Sequence, residues 1–295
     1  MGADLVQTFP AAGRVFAEAD DALGMRLSRL CFEGPEETLA LTEHAQPAIL
    51  TASLAAYRVL EETAGLAPSA MAGHSLGEWS ALVASGALAL ADAVRAVLER
   101  GRLMQAAVPV GEGGMAAVLG LDVDAVAALC REAAAGDVLA PANLNGGGQV
   151  VVAGRAAAVD RLVQLVASKG GGRAQRLAVS APFHCALMAP AAHGLARHLE
   201  TVRFQAPQVL VVTSVDARPI TGAGELRELL VRQVTAPVRW EETARTLAAG
   251  GGATLALEVG PGRVLSGLFR RIVPALATVP AGDVAGIAKA REALA

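Results

Sequence analysis

The chain has 295 residues, of which 53% are hydrophobic and 18% charged, so it carries enough apolar material for a large packed core and too much for a disordered segment. A net charge of -3 and a pI near 6.0 give no basic footprint for nucleic acid, and no charge-free apolar run reaches the roughly 18 residues of a membrane span. Three widely spaced cysteines, Cys31, Cys130 and Cys185, fit neither a disulfide framework nor a zinc set and point to a reducing cytoplasm.

The opening "MGADLVQTFPAAGRVF" lacks the basic and apolar regions of a signal peptide. Residues from Phe9 to Leu30 read as a helix, with Phe16, Leu23 and Leu27 inward. "QPAILTASLAAYRVLEETAG" predicts a longer helix, opened near Pro47 and closed by Gly65. The short apolar run Ala70-Met71-Ala72 reads as a strand, followed by Gly73-His74-Ser75-Leu76-Gly77 and a helix from about Leu76 to Ala84. Asp92 to Val108 is a further helix, with Val94, Val97, Leu98, Gly101 and Met104 on one face and Arg95, Glu99 and Arg102 opposite. At about 100° per residue, Arg100 falls beside Met104 and Val97 on the flank of the apolar face, where a cation needs an anion to meet it.

From Gly113 to Ser180 the pattern tightens. "MAAVLGL" reads as a strand, "DVDAVAALCREAAAG" as a helix starting at Asp122 or Asp124, and "VLAPANLN" and "QVVVAG" as strands joined around Gly146, Gly147 and Gly148. "AAAVDRLVQLVASKG" is a helix and "RAQRLAVS" a last strand, which completes the β-α-β-β-α-β order of a split βαβ unit. Helices in "LMAPAAHGLARHLETV", "GELRELLVRQV", "WEETARTLAAGG" and "PGRVLSGLFRRI" then alternate with strands in "QVLVVTS" and "ATLALEVG". Strands separated by helices imply a mostly parallel sheet covered on both faces.

Gly-x-Ser-x-Gly between a strand and a helix suits a nucleophile: small residues permit the cramped turn, and the following helix offers free N–H groups to an oxyanion. A buried turn serine that caps the helix is the competing reading of Ser75. A serine also needs a base. Among five histidines, His193 and His198 lie in an amphipathic helix among other charges, and His44 precedes "AQP" as a loop or helix-start residue. His74 adjoins the serine, where a neighbouring residue usually points away. His184, in "SAPFHCALM" directly after the split βαβ unit, remains as base or as a hydrogen-bonded structural histidine. No carboxylate is obviously placed as its partner: Asp122, Asp124, Asp137 and Asp160 belong to the inserted unit, with Asp216 and Glu258 further on. Metal clusters, paired glycosidase carboxylates and a Walker loop are absent from the pattern, and the glycines at 146–148 lack the Lys-Ser/Thr of a phosphate loop.

Taken in order, "QPAILTASLAAY", "GHSLGEWSALVASG", "ERGRLMQ", "NLNGGGQVVVAG", "FHCALM" and "EVGPGRVLSGL" resemble the malonyl-CoA:acyl carrier protein transacylase family of fatty acid synthesis, in its free-standing bacterial form. The resemblance spans nearly the whole chain. It implies an α/β-hydrolase-like large subdomain (1–110 and 181–295) with a ferredoxin-like subdomain (111–180) inserted. It implies Ser75 as nucleophile, His184 as base, Arg100 as the partner of the substrate carboxylate, and the backbone carbonyl of Gln233 as the group that orients the histidine. Leu76 matches the residue whose backbone N–H forms half of the oxyanion hole, and Phe183 the bulky residue of malonyl-selective relatives, with a packing aromatic as its other reading. Asn143 and Asn145 match a polar loop near which the thioester arm passes, or cap a glycine turn. Malonyl-CoA is the implied donor and holo-acyl carrier protein the implied acceptor, with no bound cofactor, metal, nucleic acid or membrane.

Members usually carry an apolar strand and "PGQGSQ" before the position of Met1, so the second oxyanion donor is expected to be missing upstream of Met1, and Gln7 does not match that motif. Rival readings are an acyltransferase of polyketide or malonate metabolism, a thioester hydrolase of the same fold, and a non-catalytic scaffold.

Overall fold

Strand pairing in the computed structural model, which describes residues 1–179, 181–250 and 252–295, is parallel in two short strand pairs and antiparallel throughout the run from Gly113 to Arg176. Strand β1 (Ala70–Ala72) pairs in parallel with β6 (Leu210–Val212), and β7 (Leu255–Val259) with β8 (Ala277–Ala281). Between them in sequence, β2 (Gly113–Leu119), β3 (Leu139–Gly146), β4 (Gln149–Arg155) and β5 (Arg173–Arg176) form an antiparallel sheet of order β3-β4-β2-β5. That order, with helices Val123–Ala134 and Ala156–Lys169 as crossovers, is the split βαβ arrangement expected from the sequence. The parallel strands form two separate pairs instead of one continuous sheet.

Helix Thr42–Ala64 runs through the centre of the larger unit and packs against helices Pro10–Leu23, Leu76–Ala84 and Leu90–Ala106. It is buried on several faces, with Ala48, Leu50, Ala55, Val59 and Leu60 fully covered, because its run of small and aliphatic residues meets neighbours all round. It begins five residues before Pro47, earlier than the proline suggests. The added turn is held from outside: Gly101 lies so close that a Cβ there would come 2.5 Å from the Glu43 Cα, and His44 Nδ1 lies 3.0 Å from the Thr38 carbonyl. Close packing here overrides the local signal.

The helix expected over Phe9 to Leu30 is broken into Pro10–Leu23 and Leu27–Glu33, and a further helix, Ala3–Thr8, comes before it. Pro10 takes the first helical position, where its missing N–H does no harm, and Gly24 (φ 62°) ends Pro10–Leu23. The strand in "RAQRLAVS" covers only Arg173–Arg176, and Ser180 at its far end lies outside the described residues. Asp122 caps its helix by accepting from the Ala125 N–H at 2.7 Å. The helix Val284–Leu294 and β8 had no counterpart in the sequence reading. No helix among the described residues is long and apolar enough to cross a membrane.

Candidate active site

β1 runs into Gly73-His74-Ser75 and then directly into helix Leu76–Ala84. The turn is tight enough that a Cβ on Gly73 would fall 1.8 Å from the Gly77 carbonyl carbon, so only glycine fits there. Ser75 takes φ 50° and ψ -106°, a backbone conformation that a non-glycine residue holds only when its surroundings impose it. His184 (φ 59°) is another non-glycine residue with positive φ. The two strained residues face each other, with Ser75 Oγ 2.8 Å from His184 Nε2.

The histidine is held from behind. Its Nδ1 lies 2.8 Å from the carbonyl oxygen of Gln233, the last residue of helix Ala223–Gln233, where main-chain carbonyls have no partner within the helix. Nδ1–H therefore donates to that carbonyl, leaving the Nε2 lone pair to accept the Ser75 hydroxyl proton. Burial, with Arg100 nearby as the second cause, lowers the His184 pKa to about 3, so the ring is a neutral acceptor at neutral pH.

Arg100 is 2% exposed and confirms the oddity of its place on the helix. Its Nη2 donates to Ser75 Oγ at 3.0 Å and to Gln233 Oε1 at 3.0 Å, and its Nη1 donates to Gln46 Oε1 at 2.6 Å. The Nε–H is buried without a partner. No carboxylate among the described residues touches the guanidinium, and burial lowers its pKa to about 10 against the opposing pull of Glu78. A buried cation bonded only to neutral groups, with a donor to spare, is suited to receive an anion.

Leu76 opens the helix, and the hydrogen bonds of the turn begin one residue later, with Gly77 N–H to His74 O and Glu78 N–H to Ser75 O. The Leu76 N–H is thus among the free donors of the helix N-terminus beside Ser75. His74 turns away from the serine: its Nε2 meets Asn145 Oδ1 at 3.0 Å and its ring packs on Trp240 at 5.7 Å. Asn143 and Asn145 both lie in strand β3 and not in a loop, and Asn143 Oδ1 is buried without a partner. Phe183 packs where the large core meets the cluster of Met115, Ala142, Val151, Ala153 and Cys185.

The other histidines and carboxylates are elsewhere. His193 is exposed, Asp216 pairs with Arg232, and Glu258 caps helix Val264–Ile272 through the Leu265 and Ser266 N–H groups at 2.9 and 2.7 Å. Asp137 pairs with Arg161 and Asp160 with Arg176 on the antiparallel unit. Gln7 is exposed on helix Ala3–Thr8. No group of three or more His, Cys, Asp or Glu among the described residues is arranged to hold a metal ion.

Three side chains of the site went unnoticed in the sequence: Gln46, Glu78 and the amide of Gln233. Glu78, 1% exposed, receives Gln233 Nε2 at 2.6 Å and the Ser214 hydroxyl at 2.6 Å. A usable signal existed in "LGEWSALVA", where a lone carboxylate interrupts an apolar helix much as Arg100 does in its own.

An α/β fold that sets a serine at the end of a parallel strand, against a neutral histidine, is the architecture of proteins that pass acyl groups through a serine ester. Known proteins narrow that class. A family described as "Acyl transferase domain" matches residues 1–289, and the chain belongs to it. It is 48% identical over 292 residues to the malonyl CoA-acyl carrier protein transacylase of Escherichia coli strain K12, covering 99% of this chain and 94% of that one. The structure of the same-named transacylase from Coxiella burnetii superposes with a TM-score of 0.96 at 40% identity, covering 100% of this chain and 93% of that chain. A second structure, a type II PKS acyl-carrier protein in complex with its malonyl-transacylase, gives a TM-score of 0.96 at 47% identity, covering 99% of this chain and 94% of that chain.

Proposed function

We propose that this chain transfers the malonyl group of malonyl-CoA to the phosphopantetheine thiol of holo-acyl carrier protein, through an ester on Ser75. The observation that carries the reading is the position of Ser75 Oγ, 2.8 Å from His184 Nε2 and 3.0 Å from Arg100 Nη2. A three-carbon diacid esterified at Oγ is short enough to fold its free carboxylate back onto that guanidinium. The similarity to malonyl transacylases over nearly the full length supports the same donor and acceptor.

Ser75 Oγ gives its proton to His184 Nε2 and attacks the thioester carbonyl, while the Leu76 N–H and the helix N-terminus stabilise the oxyanion. Collapse breaks the C–S bond, and CoA leaves as its thiol with the proton from His184. The carrier-protein thiol then gives its proton to His184 and attacks the ester carbonyl. Collapse of this second intermediate breaks the C–Oγ bond, and Ser75 recovers the proton. The Gln233 carbonyl holds one imidazole tautomer through both halves. Arg100 favours acyl groups that end in a carboxylate, as a bidentate partner, over acetyl groups that leave its donors unanswered.

In this reading Phe183 bounds the acyl pocket against branched malonyl groups, and Asn143 and Asn145 lie along the path of the thioester arm, with the unpartnered Asn143 Oδ1 in support. Residues 1–110 and 181–295 carry the reaction, and 111–180 form the inserted unit. The transfer needs no cofactor besides its donor substrate. The reaction belongs in the cytoplasm, in keeping with three buried free cysteines.

Intact-mass measurement after addition of malonyl-CoA tests the proposal. A covalent malonyl adduct is expected on the protein and not on Ser75→Ala, and holo-acyl carrier protein should discharge it faster than water does. Arg100→Ala should lower kcat/KM for malonyl-CoA by roughly a hundredfold and that for acetyl-CoA much less. A folded protein that forms no adduct, or whose adduct only hydrolyses, overturns the assignment.

A further inference from the structure

Beside the Ser75–Arg100 pair lies a buried carboxylate that the proposed reaction does not use. Glu78 Oε2 accepts from Ser214 Oγ at 2.6 Å, from Gln233 Nε2 at 2.6 Å and, at 3.3 Å, from the Ser214 N–H. A glutamine amide has a donor end and an acceptor end of nearly the same shape, so its direction is set by its neighbours alone. Here Nε2 faces Glu78 and the Ser75 carbonyl, the latter at 3.1 Å, which turns Oε1 onto Arg100 Nη2 at 3.0 Å. Reversing the amide would set oxygen against two oxygens and an NH2 group against a guanidinium, which can only donate. Donation therefore runs from Arg100 through the Gln233 amide to Glu78, which also accepts from Ser214 on its other side.

We infer that Glu78 is a positioning residue for acyl selectivity: by fixing the direction of the Gln233 amide it holds Arg100 where its unpartnered donor can meet a substrate carboxylate. The inference rests on the malonyl-transfer reading and adds to it the group that sets the selectivity-determining arginine. Favourable interaction with the helix N-terminus explains a carboxylate in the first turn, but an exposed one would serve that purpose as well. Burial of Glu78 under three donors, one of them the Gln233 amide whose other end meets Arg100, calls for a role in the site.

The test is the ratio of kcat/KM for malonyl-CoA to that for acetyl-CoA, with holo-acyl carrier protein as acceptor, in Glu78→Ala, Glu78→Gln and Ser214→Ala. Glu78→Ala frees the Gln233 amide and should lower the ratio by about tenfold, mainly through a raised KM for malonyl-CoA. Glu78→Gln keeps an acceptor oxygen for Gln233 and should stay within about threefold of the unaltered protein. Ser214→Ala leaves Glu78 with one anchor fewer and should move the ratio the same way by a smaller amount. Equal losses with both donors, or Glu78→Gln as damaging as Glu78→Ala, overturn the inference. If Glu78→Ala does not fold, an unchanged ratio in Ser214→Ala overturns it instead. Absence of malonyl transfer by the unaltered protein would defeat the function itself, whereas equal losses in the variants defeat the role of Glu78 alone.

Discussion

His184 keeps its proton acceptor free because burial and the adjacent Arg100 charge both disfavour the imidazolium, lowering its pKa from 6.5 to about 3. A base so shifted stays competent well into acid. Single-turnover acylation by malonyl-CoA should show no inflection near the ordinary histidine value as pH falls from about 7.5 to about 5. An acid limb centred near 6.5 would contradict the environment described. Stability carries the opposite signature: the unfolded chain binds this proton below 6.5 while the folded chain does not until about 3. Its contribution is therefore full above 6.5 and is lost progressively as pH falls toward 3, a trend that urea unfolding at a series of pH values measures. At this scale, residues whose chemistry clashes with their local pattern were readable: Ser75 between glycines, and Arg100 on an apolar flank. Gln46 and Gln233 were not readable as side chains, since a neutral amide near a helix end produces no such clash.

The elbow shows how an element imposes geometry on one residue. Glycines on both sides of Ser75 suggest that both are needed for the turn, yet a Cβ at Gly77 would meet nothing within 4 Å, while one at Gly73 would overlap the backbone of Gly77 and Glu78. Gly73→Ala should therefore destabilise the fold by several kcal/mol or abolish expression of folded protein. Gly77→Ala should be tolerated, or stabilise the helix by about 0.5–1 kcal/mol. Thermal unfolding of both variants checks the contrast, and equal effects would refute it. The motif in the sequence is symmetric about the serine. The asymmetry arises because the chain doubles back only on the strand side.

At the scale of the whole molecule, the antiparallel unit is tied to the larger unit at a few points along β3, one of them at the elbow. His74 meets Asn145, the Val238 N–H donates to Ala142 O at 2.9 Å, and the Leu144 N–H donates to Val238 O at 2.8 Å. Gly146 packs so near Ile272 and Glu241 that a Cβ would come within 2.9 Å of Ile272 Cγ1. Asn145→Ala removes the partner of His74 and should lower stability by about 1–2 kcal/mol in chemical denaturation. If the seam holds the elbow in place, the variant should also slow acylation, while Asn145→Asp, which keeps the acceptor oxygen, should restore much of it. No change in either measurement would show that the backbone bonds of β3 suffice.

The sequence by itself determined the local pieces of this protein: helix and strand periods, the strand–turn–helix around Ser75, the compact β-α-β-β-α-β run and the misplaced charge at Arg100. Each is written in neighbouring residues, within one or two turns of chain, where spacing and burial are coupled. Only the tertiary structure decided how residues 75, 100, 184 and 233 share one hydrogen-bonded cluster, and that Glu78 and Gln46 belong to it. Those contacts join elements far apart in the chain, and their geometry depends on how the helices pack. The sequence pattern could offer a serine, a histidine and an arginine, and packing alone set which way the Gln233 amide points between Glu78 and Arg100.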